Sequence, residues 1–254
     1  DRETQKVIKG ATFGLFKSDI TEFTENNAIL TAVTDESGVF VFNNIPYGEY
    51  LIKEFKPADG YLDNEDVFTV TIKDNEQVVE LTAINDKVPE LKTTATVNGK
   101  KEVIAKGEIT IKDTVEYKHL VPNTEYVIKG TLMDKSTGKP FVAKGKEITS
   151  TVKFVPDKAD GKVEVTFTFD GSAIKKDTDL VVFETLYRDG VELTAHADIN
   201  DDGQTVTIKP YIPHNPKTGD ERNIGTWIGL GGVGLGAAVA ILVLKLKMRK
   251  DEDE

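Results

Sequence analysis

Two residues in the first part of the chain have side chains suited to amide chemistry. Residues two apart in a strand share a face, so Glu54 is predicted to share its face with Tyr50 and Ile52. The same alternation puts Asn85 on the face of Leu81. Burial raises the pKa of a carboxyl, so Glu54 is expected to stay protonated. A protonated carboxyl can donate a hydrogen bond to a carboxamide and polarise its carbon for attack. The alternative is a structural Glu–Asn hydrogen bond in the core.

Composition excludes several other kinds of chemistry. The 254 residues contain no cysteine, which rules out disulfides, thiol catalysis and Cys-ligated metals. Three histidines, His119, His196 and His214, are too few to predict a multi-histidine metal site. The net charge of -11 argues against a nucleic-acid partner, because phosphate binding needs a basic face. We therefore expect no metal, no cofactor and no nucleic acid.

One acidic loop resembles part of a calcium site. Asp198, Asn200, Asp202 and Gly203 have the spacing with which an EF-hand loop begins. The twelfth position is Lys209, where a bidentate glutamate is required, and no helices are predicted beside the loop. The pattern does not predict calcium binding.

The first 213 residues have the pattern of an all-β protein. Apolar and polar residues alternate in short segments that turn residues separate at the spacing typical of β-sandwiches. The segments are 39–42, 50–52, 68–72, 163–169 and 180–186. One series closes near residue 88 and another begins at Leu91, which predicts two tandem β-sandwich domains, 1–88 and 89–213.

The C-terminal region has the composition of a membrane segment. Residues 224–244 are 21 residues without a charge, a helix of roughly 31 Å, enough to cross a hydrocarbon core of about 30 Å. Basic residues follow at once, so the tail 245–254 is predicted to be cytoplasmic and everything before 224 extracellular. We expect a single C-terminal transmembrane helix.

A short motif precedes this helix, within the predicted linker 214–223. It reads Asn215, Pro216, Lys217, Thr218, Gly219. The motif, the apolar segment and the basic tail together resemble the LPxTG-like sortase signal of Gram-positive cell-wall proteins. The resemblance implies that a sortase transpeptidase cuts after Thr218 and joins its carbonyl to a peptidoglycan or pilin amine. The membrane would be only a transient partner, and the mature protein would be wall-anchored outside the cell. The alternative is a plain membrane anchor.

Residues 1–87 resemble a Cna protein B-type (SpaA-like) domain, which has a prealbumin-like or Ig-like fold. The matching segments are 9–13, 37–40, 45–50 and 54–61. The resemblance implies an intramolecular Lys–Asn isopeptide bond, with Asn85 as acceptor and Glu54 as the promoting acid. The family's lysine precedes a D-x-E-T pattern by two residues, and Asp1 begins that pattern here. Lys6 and Lys9 come too late to substitute. We therefore expect this bond only in a longer chain of which this is a C-terminal fragment.

Residues 89–213 resemble the VaFE-repeat, or Thr–Gln ester-bond, domain of Gram-positive surface proteins. The matching blocks are 113–117, 130–134, 181–184 and 196–205. The resemblance implies that Thr114 attacks the side chain of Gln204, that ammonia leaves, and that an ester joins the first and last strands. His196 would assist proton transfer, while Asp134 and Glu184 would position and activate the pair.

Alternation agrees with most of this assignment. Gln204 shares a face with Val206, and Glu184 with Val182, so both are predicted to point inward. Thr114 is predicted to point outward, so its role requires a β-bulge near residue 113.

These features predict a structural function and no turnover enzyme. The chain would be a stalk segment of a wall-anchored adhesin or pilus-associated protein, stabilised by covalent cross-links where disulfides are absent. One alternative is an adhesin module that binds a host protein or glycan. Another is a hydrolase that uses Thr114, His196 and Glu184.

Overall fold

The computed structural model describes residues 1–213. The predicted sorting motif at 215–219, the membrane helix at 224–244 and the tail at 245–254 lie outside the described residues. Within 1–213 the chain forms strands and two short 3-10 turns, Glu25–Asn27 and Gly171–Ala173. No helix in this part of the chain is long and apolar enough to cross a bilayer.

The N-terminal domain is built on one antiparallel sheet. Its strands are β1 (Thr12–Lys17), β2 (Leu30–Val33), β3 (Gly48–Lys56) and β4 (Val67–Ile72). They are ordered β2-β1-β3-β4. The alternating apolar residues of these strands face one side and form the core of the domain, which includes Phe13, Leu15, Ile52 and Val70.

Two further segments of this domain alternate in burial but belong to no strand. Phe40 and Phe42 are half-buried while Val39 and Val41 are exposed, and the Phe40 ring stacks on Phe13 at 4.3 Å. Residues 81–85 alternate in the same way. The prediction of a strand at 39–42 is therefore wrong in one respect. The alternation is present, but no ladder forms there in the described chain.

The C-terminal domain contains two main sheets and a separate two-stranded ladder. Its strands are β5 (Glu90–Val97), β6 (Glu102–Ala105), β7 (Glu108–Lys118), β8 (Tyr126–Asp134), β9 (Lys139–Pro140), β10 (Val142–Ala143), β11 (Lys146–Glu147), β12 (Thr149–Phe154), β13 (Gly161–Asp170), β14 (Thr178–Arg188), β15 (Val191–His196) and β16 (Thr205–Pro210). The larger sheet has the order β12-β8-β14-β16-β6, with β15 on β14 and β9 on β8. The smaller has the order β13-β7-β5, and β10 pairs only with β11.

The inner faces of these two sheets form the larger hydrophobic core. Every second residue of β7 is buried, from Ile109 through Asp113 to Tyr117. The pairing of β7 with both of its neighbours runs without a register shift. The bulge predicted near residue 113 is therefore absent, and simple alternation decides which way each side chain of β7 points.

The two domains meet at a small polar junction. The Asp86 carboxylate accepts from Arg2 of its own domain at 2.5 Å and from Arg188, the last residue of β14, at 3.0 Å. His119 Nδ1 lies 2.8 Å from the Glu3 carboxylate. Asp86 is mostly buried, so its charge is compensated where screening by water is weak.

Candidate functional site

In the N-terminal domain the structure brings the predicted acid and amide together. Strand β3 points Glu54 inward, and both Glu54 and Asn85 are 4% exposed. Asn85 Nδ2 donates to Glu54 Oε2 at 2.7 Å and Oε1 at 2.9 Å. Burial raises the pKa of Glu54, and the Asn85 hydrogen bond opposes that shift. A carboxyl therefore lies against a carboxamide in a largely apolar setting.

This pair lines a groove of about 1050 Å³ in the N-terminal domain. The two segments with alternating burial, residues 39–42 and 81–85, contribute to its walls. Several apolar residues in the groove are exposed, including Val41 at 62% and Val78 at 80%. Lys9, by contrast, pairs with Glu36 at 2.5 Å on the surface. The described chain thus places the acid and amide of the predicted isopeptide beside an open groove with both polar and apolar walls.

The second site surrounds Gln204, whose side chain is completely buried. Gln204 is the residue before β16, and its backbone carbonyl accepts a hydrogen bond from Val182 N of β14. This backbone bond holds Gln204 with its side chain in the core. Its Nε2 donates to Glu184 Oε2 at 3.1 Å and to the His196 carbonyl at 3.3 Å. Glu184 and His196 are direct neighbours across β14 and β15. Three predicted residues, Gln204, Glu184 and His196, therefore lie together.

A second buried carboxyl, Asp113, faces Glu184 and was not among the predicted residues. Both side chains are 0% exposed. Burial raises the pKa of both, and interaction with Asp113 raises that of Glu184 further. Two adjacent carboxyls in such a place cannot both ionise cheaply, so the pair retains a proton at neutral pH. That proton is favoured on Glu184, next to the Gln204 amide.

The hydroxyl at this site belongs to Thr93. Strand β5 turns Thr93 inward, and its side chain is 2% exposed. Its Oγ1 lies 3.2 Å from His196 Nδ1, and His196 Nε2 lies 3.2 Å from Asp201 Oδ2. This is the order of a hydroxyl nucleophile, a general base and a carboxylate that orients the base. The Thr93 side chain also lowers the pKa of Asp113, which burial raises.

Backbone contacts hold Thr93 and Gln204 in neighbouring segments. Ala95 N donates to the Gly203 carbonyl at 2.9 Å, joining β5 to the residue before Gln204. A Cβ built on Gly203 would lie 3.4 Å from the Thr93 carbonyl oxygen. The first and last segments of the domain are therefore in contact at the residues that carry the hydroxyl and the carboxamide.

Two predicted residues do not lie at this site. Thr114 follows Asp113 on a regular strand, so it shares the outer face with Lys112 and Glu116. Asp134 ends β8, where its Oδ1 accepts from Ser136 N at 2.8 Å and Oγ at 2.6 Å and caps a turn. Thr93 takes the place predicted for Thr114, and Asp113 the place predicted for Asp134.

One further group of potential metal ligands lies at the domain junction. Glu3, His119 and Asp160 place one ligand atom each within 4.8 Å of one another. Glu3 lies 3.6 Å from Lys87 Nζ, and Asp160 accepts from His119 N at 3.2 Å. Glu3 and His119 pair across the junction, and the contacts of Lys87 with Glu3 and of His119 N with Asp160 lie within one domain each.

Comparison with protein families covers nearly all of the described chain. Residues 1–87 match the SpaA family, described as a prealbumin-like fold domain, and residues 89–208 match the T-Q ester bond containing domain. The chain is a SpaA prealbumin-like domain followed by a T-Q ester bond domain. Both domains are accordingly β-sandwiches of prealbumin-like type, as predicted for the fold class. The Thr93 and Gln204 pair lies in the T-Q domain.

Individual relatives are adhesins and pilins. A collagen adhesin of Staphylococcus aureus is 25% identical over 119 residues, which are 46% of this chain and 10% of that protein. An adhesin of Mobiluncus mulieris "containing intramolecular disulfide, isopeptide, and ester bond cross-links" is 22% identical over 50% of this chain and 58% of that one, with a TM-score of 0.43. The major pilin subunit of Bacillus cereus is 17% identical over 82% and 66%, with a TM-score of 0.44. The chain spans only part of each relative.

Proposed function

We propose that this chain is a stalk segment of a surface adhesin or pilus-associated protein whose T-Q domain closes one ester bond between Thr93 and Gln204. The observation that carries the proposal is the contact of the buried Thr93 hydroxyl with His196, which pairs in turn with Asp201, beside a buried Gln204 amide bound to Glu184. The arrangement has a nucleophile, a base and an activated electrophile, but all of them belong to the protein. The reaction therefore occurs once per chain.

The reaction conserves atoms and charge. His196 Nδ1 accepts the proton of Thr93 Oγ1 as that oxygen bonds to Gln204 Cδ. The same proton then passes to Gln204 Nε2, the Cδ–Nε2 bond breaks, and ammonia leaves. Asp201 stabilises the imidazolium that forms between these steps. Folding supplies the proximity that makes an unactivated hydroxyl reactive toward an amide.

The buried carboxyls of Asp113 and Glu184, here called the acid pair, activate the Gln204 carboxamide. Gln204 Oε1 and Glu184 Oε1 are buried without a protein hydrogen bond in the described structure. In the proposed reaction the carboxamide rotates, so that Nε2 gives up its contacts with Glu184 and the His196 carbonyl and Oε1 accepts from the protonated Glu184 carboxyl. This hydrogen bond stabilises the negative charge that grows on the oxygen during attack, and Asp113 keeps the proton beside it.

The N-terminal domain has the acceptor half of a second cross-link. Asn85 and Glu54 are paired beside the open groove, which suits an extended strand. A lysine on such a strand, supplied by a longer chain, would attack Asn85 Cγ and release ammonia, with Glu54 as the promoting acid. The segment 215–219 would join the finished stalk to a cell-wall or pilin amine through sortase.

Intact mass of the full chain tests the ester. We expect the mass of one ammonia to be missing, and the Thr93→Val variant to keep the full mass. Peptide mapping should then recover the Thr93 and Gln204 peptides as one cross-linked species. A full mass in the correctly folded wild-type chain would exclude the ester, and loss of ammonia that persists in Thr93→Val would exclude Thr93 as the nucleophile.

Ligand binding is the second candidate function, because one relative is named a collagen adhesin. Saturable binding of the chain to an immobilised host matrix protein, unchanged by Thr93→Val, would favour it. Repeated turnover of a small ester that depends on Thr93 would instead indicate a hydrolase.

A further inference from the structure

A lysine outside the catalytic group contacts the segment that presents Gln204. Lys101 lies in the short connection between β5 and β6. Its Nζ donates to the carbonyl oxygens of Asp202 at 3.1 Å and Gly203 at 2.5 Å. Its own carbonyl accepts from Thr207 N at 2.7 Å. Lys101 therefore holds the chain on both sides of Gln204.

The Gly203 carbonyl is bound from two directions. Ala95 N, two residues after Thr93, donates to it at 2.9 Å, and Lys101 Nζ donates to the same oxygen. This one peptide group thus connects the strand that carries the hydroxyl with the residue before the carboxamide. A shift of this peptide would move Gln204 Cδ relative to Thr93 Oγ1, and the rate of an intramolecular attack depends steeply on that distance.

We propose that Lys101 is a positioning residue for ester formation, which fixes the Asp202–Gly203 peptides so that the Gln204 carboxamide lies in reach of Thr93. This inference rests on the proposed ester chemistry. Lys101 touches neither reacting side chain, so it acts through the backbone of the two residues that precede Gln204.

The charge of Lys101 suits this place. Burial lowers the pKa of Lys101, while three carboxylates, those of Asp113, Asp201 and Asp202, raise it. In return the positive charge lowers the pKa of Asp113, which burial raises. The ammonium thus favours an ionised Asp113 and leaves the proton of the acid pair on Glu184. A methionine, which has a similar length but no charge and no donor, would not supply the two hydrogen bonds. It would also not favour the ionised form of Asp113.

The test follows the rate of ammonia loss in the full chain. Protein is collected in denaturant after a short induction, before most chains have reacted, then refolded and sampled by intact mass. We expect Lys101→Met to slow the reaction by about tenfold or more, since misplacement by about 1 Å can cost on the order of a hundredfold. Lys101→Arg keeps the charge and the donors and should restore most of the rate. Lys100→Met is the matched control, because within residues 1–213 Lys100 is paired through its backbone with Val97 and not through its side chain, and it should react as wild type.

A stability measurement separates positioning from folding. The melting temperatures of Thr93→Val and Thr93→Val/Lys101→Met, neither of which can close the bond, should agree within a few degrees. A Lys101→Met rate within twofold of wild type would refute the inference, as would a slow Lys101→Arg variant. So would a double variant that melts far below the single one, because a slow rate would then reflect poor folding. If wild type itself loses no ammonia, or Thr93→Val still loses it, the proposed ester fails instead.

Discussion

Replacing Thr93 by valine removes one hydroxyl from a buried site while nearly preserving its volume. In the proposed chemistry it also removes the bond between β5 and the segment before β16. That bond closes a loop of about 110 residues, and the chain-entropy treatment of cross-links gives roughly 5 kcal/mol for a loop of this length. The lost hydroxyl hydrogen bond with His196 adds about 1 kcal/mol.

For a domain of this size, 1 kcal/mol corresponds to roughly 4 °C in melting temperature. We therefore expect Thr93→Val to lower the melting temperature of the T-Q domain by roughly 20 °C in scanning calorimetry of the full chain. The transition of the N-terminal domain should move little, because its core is separate.

The chain offers a matched control one strand away. Thr114→Val makes the same chemical change on the outer face of β7. It should keep the ester and melt within about 2 °C of wild type, as surface substitutions usually do. If Thr114→Val rather than Thr93→Val abolished the ammonia loss, the assignment of the nucleophile from burial and strand direction would be wrong.

Three further outcomes follow from the same geometry. Asp201→Asn should slow ammonia loss by about tenfold to a hundredfold without changing the final yield, because it weakens the contact that orients His196. An unchanged rate in the refolding assay would show that Asp201 takes no part in the mechanism. Asp134→Ala should leave the rate of ester formation unchanged and lower the free energy of unfolding in denaturant by about 1 kcal/mol, because it removes only a turn cap. Loss of the ester in this variant would show that Asp134 acts in the reaction. Burial raises the pKa of Glu54 in the folded domain above its value in the unfolded chain. As pH rises, the unfolded chain therefore releases this proton first. The N-terminal domain should be most stable below the ordinary carboxyl pKa and lose stability as pH rises above it. For one group, the free energy of unfolding can change by at most about 1.4 kcal/mol per pH unit. Glu54→Gln should abolish this pH dependence in denaturant unfolding measured between pH 4 and 8. A pH dependence that survives the substitution would assign the effect to another group.

Alternation and family resemblance together predict the residues of the proposed electrophile half, Gln204 and Glu184. Gln204 and Glu184 each lie two residues from an apolar neighbour, Val206 and Val182, and this spacing predicts that both point inward. The pairing of Glu54 with Asn85 followed from the same reasoning. These residues share a simple property, since each is a polar side chain at a position where the pattern demands an apolar one.

The sequence analysis does not predict the proposed nucleophile, Thr93, although the sequence contains the signal for it. Alternation predicts that Thr114 points outward, and the predicted bulge near residue 113 is needed only to reverse that direction. The structure keeps the strand regular, so Asp113 is the buried group. An ester between the first and last strands also requires its hydroxyl on the first strand, β5, where Thr93 falls between exposed Lys92 and Thr94.

Other contacts were beyond local patterns. Thr93 and His196 are 103 residues apart, and their approach depends on how two sheets pack rather than on any periodicity. Asp201 lies in a turn, where alternation gives no direction. In the segment 39–42 the predicted alternation of burial is present, but no strand forms. Alternation is a local pattern, whereas a strand also needs a partner strand.

The contact between β5 and the residue before Gln204 determines what a pulling force would do to this domain. Force applied through the chain enters at β5 and leaves through β16, and the two meet where Ala95 bonds to Gly203. With an ester there, the load crosses from one terminal strand to the other and bypasses everything between. Without it, unravelling would lengthen the molecule by up to roughly 390 Å, since about 110 residues extend by about 3.5 Å each. The cross-link would thus convert an extensible segment into one of nearly fixed length.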